Sequence, residues 1–224
     1  MRLPRPLLAV GILAALAGTR PSAVAAAPPD RPPVTVTVRD AAGAPVPWAA
    51  VTLTPTDGQG IGAWTAPAPV MRQHGVLFDP FVLAVRTGAE VAFPNLDDIR
   101  HHVYSFSRAK RFELRLYGKD ENKLVVFDQP GVVALGCTIH DNMLSFIHVS
   151  DAPVQAVTDA QGRAAFAGLP AGAWEIGVWH PDLAGDGPPP LAVRTGPDAA
   201  ADAVVAIPLR KVRRVQEPPR EGRY

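Results

Sequence analysis

The sequence predicts an all-β protein, and three observations carry that reading. Pro 25 and Gly 19 take up a fifth of the 224 residues, which favours short strands punctuated by turns over long helices. Apolar and polar residues alternate with period two in several short runs, and turn residues separate these runs about every ten positions, the spacing of a β-sandwich. No segment sustains a helical period.

Taken in order, residues 1–25 read as an export signal. Arg2 and Arg5 precede the apolar run LLAVGILAALAG over 7–18, which is too short to span a bilayer, and Ala23-Val24-Ala25 fits an A-x-A cleavage site. The signal carries three arginines and no acid, so its removal turns a formal charge of +1 into −2. The expected mature chain is therefore exported, placed in the periplasm, and without a membrane span. Val34-Thr-Val-Thr-Val38 alternates strictly, and Val51-Thr-Leu53 continues the pattern beyond the turn residues Asp40-Ala-Ala-Gly43 and Pro45-Val-Pro47. These read as two strands of one sheet with one wet face. A Gly/Pro/Ala-rich linker leads from Pro55 to Pro69. A second block follows, with strands expected over 82–85, 90–93, 102–106, 124–127, 132–135 and 144–149. Further strands are expected over 164–166, 174–178 and 203–207. The chain closes on a basic tail, 210–224, read as solvated and disordered.

The two outer pieces belong together by rhythm. The stretch from Val36 to Leu53 (VTVRDAAGAPVPWAAVTL) resembles the opening of transthyretin-like, carboxypeptidase-regulatory sandwiches. The second half of that pattern stands about a hundred residues later, from Thr158 to Ile176 (TDAQGRAAFAGLPAGAWEI). The resemblance implies one small sandwich, 34–57 with 153–209, interrupted by an inserted block over 61–151. An isolated N-terminal hairpin would be marginal in water.

Composition narrows the function. One Cys excludes an intramolecular disulfide, an iron–sulfur cluster and a multi-Cys zinc site. Near-zero charge without a basic stripe speaks against a nucleic-acid binder. In an oxidising compartment a lone thiol must be buried, catalytic or held by a metal. Cys137-Thr-Ile-His140-Asp-Asn-Met143 places thiol, imidazole and thioether at i, i+3 and i+6. These are soft-to-borderline donors that suit copper, and two His plus one Cys with a weak axial Met form the electron-transfer type of site. The second imidazole has two candidates, His101 and His102. With six His in the chain, the further clusters a multicopper enzyme needs are missing, and a Cys137–His140 nucleophile pair lacks an orienting group. No Gly-rich phosphate loop, H-E-x-x-H or G-x-S-x-G occurs.

At these residues the block resembles the cupredoxin family. Phe78-Asp-Pro80, Val85-Arg-Thr-Gly88, Val91-Ala-Phe93, Asn95 and His101-His-Val103 follow its line, and the short C-x-x-H-x-x-M loop is similar to that of the amicyanin type, shorter than those of plastocyanin or azurin. The resemblance implies a Greek-key sandwich over about residues 70–150, one type 1 copper held by His101, Cys137, His140 and axial Met143, and no enzymatic activity. It also implies transient redox partners, with a periplasmic amine-oxidising chain as one candidate. His102 falls where the family usually carries a bracing Asn. Phe78, Phe93, Leu135 and Phe146 are expected around the ion, His140 at the exposed edge with Ile139 and Leu144 beside it, and His148 facing solvent. A periplasmic copper carrier or storage protein would use the same donors; a metal-free adhesion sandwich is the third possibility.

Overall fold

The structure is a computed structural model that describes residues 33–58, 67–119, 121–196 and 202–211. The expected signal and all but two residues of the basic tail lie outside them. The described residues are all-β, as the periodicity requires, and no helix among them is long and apolar enough to cross a membrane.

The first two strands are β1 (Val34–Asp40) and β2 (Ala50–Pro55). Nine follow: β3 (Arg72–Gln73), β4 (Phe78–Asp79), β5 (Val82–Arg86), β6 (Ala89–Pro94), β7 (His101–Phe106), β8 (Arg111–Tyr117), β9 (Asn122–Phe127), β10 (Gly131–Gly136) and β11 (Leu144–Ser150). The last five are β12 (Val154–Val157), β13 (Arg163–Phe166), β14 (Gly172–Trp179), β15 (Leu191–Thr195) and β16 (Asp202–Ile207).

Strands from both ends of the chain share two facing sheets. One has the order β13-β1-β16, with β1 parallel to β16; the other runs β12-β2-β14-β15. Their alternating inward residues, among them Val36, Leu53, Phe166, Trp174 and Ile207, form one core. β1 and β2 were expected in one sheet and instead enter opposite sheets. The crossing between them is pinned by Thr158, whose hydroxyl donates to the Val46 carbonyl at 2.7 Å and accepts from the Ala49 N–H at 2.8 Å. Burial of Val46 and Ala49 makes that crossing part of the core.

The middle strands build a second sandwich. Its five-stranded sheet, β5-β11-β10-β7-β8, packs against the β6–β9 pair around Val91, Phe93, Val103, Phe127, Leu135 and Ile147. Strand β8 was not foreseen, although Phe112, Leu114 and the charges between them alternate cleanly. It is an edge strand, and its Arg and Glu side chains suit an edge. A register shift opposite His101–Val103 leaves both Arg115 and Leu116 outside and turns Tyr117 inward.

A third apolar cluster joins the two sandwiches: Ala50, Phe81, Val82 and Phe146, with Val157 and Trp179 against them. Phe81 stands edge-on to Phe146 at 5.7 Å, and Trp179 contacts Phe146 at 6.0 Å. Phe146 was expected near the metal. It points to the other face of β11, because it alternates with Ile147, which fills the second core.

Candidate metal centre

The upstream part of the site is a loop held from within. Buried Asn95, at the end of β6, donates through Nδ2 to the Ile99 and Tyr117 carbonyls at 2.8 and 3.0 Å, and its Oδ1 accepts the Asp97 N–H at 2.9 Å. Tyr117, turned inward by the register shift, donates its hydroxyl to the Phe93 carbonyl at 2.8 Å. The loop therefore delivers Asp97 and, at the first position of β7, His101 in fixed positions. The downstream part is the turn between β10 and β11, which carries Cys137, His140 and Met143. Its reversal is closed by the Met143 N–H bonded to the His140 carbonyl at 3.1 Å. Gly136 precedes Cys137 because the Tyr104 ring lies against it: a Cβ there would stand 2.7 Å from the ring.

Three donors converge. His101, Cys137 and His140 place one ligand atom each within 4.8 Å of one another. The two Nδ1 atoms are 3.2 Å apart, and Cys137 Sγ lies 3.6 Å from His140 Nδ1. Metal–nitrogen and metal–sulfur bonds of about 2.0 and 2.3 Å, arranged trigonally, set donors roughly 3.5 to 3.7 Å apart, so the spacing fits a His₂Cys plane. His101 is fully buried and Cys137 is 5% exposed, whereas His140 is partly open to solvent. Met143, 2% exposed, belongs to the same core as Cys137.

His102 faces elsewhere. Its Nε2 bonds Glu113 Oε1 at 2.9 Å, on the β8 side, and its ring lies against Tyr104. Leu144 packs toward the junction cluster instead of standing free beside His140, while Ile139 is 52% exposed. His148, expected in solvent, stacks on Trp179 at 5.3 Å. His180 sits in a buried turn, with Nδ1 accepting the Asp182 N–H at 3.0 Å.

Electrostatics ease ionisation of the thiol. Burial raises the Cys137 thiol, but the His101 imidazole and the backbone N–H groups of His102 and Ile139 bond the sulfur and bring it below its ordinary value. Burial lowers His101, yet Cys137 and Asp97 outweigh it and the net direction is up. His140 is held down by burial and by the neighbouring His101 charge. A cation entering the site would displace the proton held among these donors. One residue escaped the sequence reading: Asp97, whose Oδ2 accepts from His101 Nε2 at 2.8 Å. The signal was an acid four positions before a ligand candidate, in a loop already bounded by Asn95.

No family model and no curated protein matches the chain. Among solved structures, it is similar to a Cu-containing nitrite reductase (NirK) from Thermus scotoductus SA-01, at 25% identity and TM-score 0.35, over 43% of this chain and 25% of that one. A purple cupredoxin from Nitrosopumilus maritimus matches at 19% identity and TM-score 0.33, over 37% of this chain and 99% of the other. A reduced, Cu(I) form of an amicyanin variant matches at 19% and 0.34, over 44% of this chain and 98% of the other. The chain thus spans a quarter of the reductase's length and nearly all of the two smaller proteins.

Proposed function

We propose that the protein is an exported type 1 copper protein that carries single electrons between transient partners in the periplasm, and that it is not an enzyme. The observation that carries this is the convergence of Cys137 Sγ with the Nδ1 atoms of His101 and His140, the first two buried and the third at the solvent edge. Met143 is the proposed axial donor. Bound copper would supply a Cu(I)/Cu(II) couple. The residues hold one geometry for both states: the Asn95 and Tyr117 hydrogen bonds fix the upstream loop, the β10–β11 turn fixes the downstream donors, and Phe78, Phe93 and Leu135 exclude water from the surrounding core. Backbone N–H groups of His102 and Ile139 share the sulfur's charge. His140 and exposed Ile139 form the edge nearest solvent, where a small, short-lived redox encounter takes place. The strands before and after the middle block act in this reading as a scaffold around an inserted copper unit.

Adding Cu(II) to the purified chain tests the proposal. We expect an intense visible thiolate-to-copper band, reversible bleaching by a one-electron reductant, and loss of the band in Cys137→Ser. His101→Ala must abolish the band while His102→Ala spares it; the reverse result overturns the ligand assignment. A chain that takes up copper and yields it to a modest chelator is a carrier, and one that stays colourless is a structural sandwich.

A further inference from the structure

We infer that Asp97 is a positioning residue that fixes the His101 tautomer and, with Asn142, ties both ligand-bearing segments to the tip of the β3–β4 hairpin; this rests on the copper reading above. Asp97 accepts three hydrogen bonds. Oδ2 takes His101 Nε2 at 2.8 Å and the Val76 N–H at 3.0 Å, and Oδ1 takes the Gly75 N–H at 2.7 Å. A carboxylate is the side chain that can accept all three at once. With Nε2 directed at Asp97, Nδ1 is the nitrogen turned to the other donors, 3.2 Å from His140 Nδ1, and it is bare once the imidazole is neutral. The imidazole is thus oriented with its lone pair toward the other donors.

The hairpin tip carries the second half of the inference. Gly75 (φ +64°) and Val76 (φ +58°) are the central residues of a turn closed by the His74 N–H bonded to the Leu77 carbonyl at 3.0 Å. Positive φ at both positions is the type I′ signature, which normally selects Asn-Gly, and a β-branched residue there is an outlier. Both polar groups of Val76 are occupied: its N–H by Asp97, and its carbonyl by Asn142 Nδ2 at 2.8 Å. Asn142 stands between His140 and Met143. One strained residue therefore bridges the loop that presents His101 and the turn that presents the other donors. Strain of this kind persists where the surroundings over-determine it. His74 lies nearby on the exposed side, 3.8 Å from Asp97 Oδ1.

Asp97→Asn and Asn142→Ala separate the two halves. An amide at 97 offers one acceptor and one donor. With the NH₂ in place of Oδ1 the Gly75 N–H loses its acceptor; with it in place of Oδ2 the Val76 N–H does, and the NH₂ faces Nε2 and drives the proton onto Nδ1. We expect Asp97→Asn to weaken copper binding at least about tenfold. It should also shift the Cu(II)/Cu(I) ratio toward Cu(I) by a similar factor at fixed poise, since a carboxylate behind the imidazole strengthens it as a donor. Asp97→Glu should recover part of both. Asn142→Ala leaves the carboxylate in place and should lower the melting temperature with little change in that ratio. In metal-free protein at pH 9, imidazole nitrogen NMR should show the His101 proton on Nε2 in the wild type and no longer held there in Asp97→Ala, which keeps no acceptor behind the ring. Wild-type copper affinity and redox balance in Asp97→Asn, or a tautomer unchanged in Asp97→Ala, overturns the inference. A wild-type chain that takes up no copper defeats the copper reading instead, and the nitrogen spectrum still decides the role of Asp97.

Discussion

His148 shows how far one side chain's setting can depart from its pattern. It sits on β11 between Ile147 and Val149, and its ring lies nearly parallel to Trp179, with an interplanar angle of 21°. Burial pushes its pKa down to about 4. The folded state therefore favours neutral imidazole, while the unfolded chain takes up a proton near pH 6.5. Stability from this group is complete above that pH and falls as the pH drops toward 4, by on the order of 3 kcal/mol at most. His148→Phe keeps a flat ring against Trp179 and removes the titration. Denaturant unfolding between pH 7 and 4 should show a shallower loss of stability for the variant than for the wild type. Parallel curves would show that His148 does not carry this dependence.

Among the elements, two glycines separate backbone strain from close approach. Gly43 has φ +83° and open space where a Cβ would go. Gly162, in the turn before β13, has φ +73°, and a Cβ there would meet the Val38 carbonyl oxygen at 2.5 Å and the Val46 N at 2.9 Å. Gly43→Ala should cost about 1–2 kcal/mol, from left-handed geometry alone. Gly162→Ala carries that cost plus about 1–3 kcal/mol of overpacking against backbone that cannot rotate away. Equal losses in urea melts would refute the close-approach account. The same scale shows where sequence reading failed. The alternation of β8 was present in Arg111–Tyr117, but strand-edge position and the shifted register come from pairing with β7. β1 and β2 alternate as strands should, yet period two says which face is wet and not which sheet a strand joins.

At the scale of the whole molecule, the junction cluster packs the two sandwiches of the described residues against each other. Phe81 touches both Trp48 and Phe146, and Trp179 touches Phe146 and His148. Phe81→Ala removes the ring common to two of these contacts and should destabilise by roughly 3–5 kcal/mol. Because the cluster couples two separate cores, the variant's calorimetric unfolding should broaden or split, where the wild type shows a single transition. A single, unshifted transition would show that the sandwiches do not depend on one another through these rings.

By itself the sequence determined the all-β class, the positions of most strands and the local spacing of Cys137, His140 and Met143. Each of these is a property of neighbouring residues, set by side-chain period and by turn chemistry. Only the tertiary structure decided that His101 turns toward Cys137 and His140 while His102 turns to Glu113. The same holds for Phe146, which serves the junction, and for Asp97, which stands behind a ligand candidate. Those facts depend on pairing register and on hydrogen bonds between segments 20 to 70 residues apart, which no local period encodes.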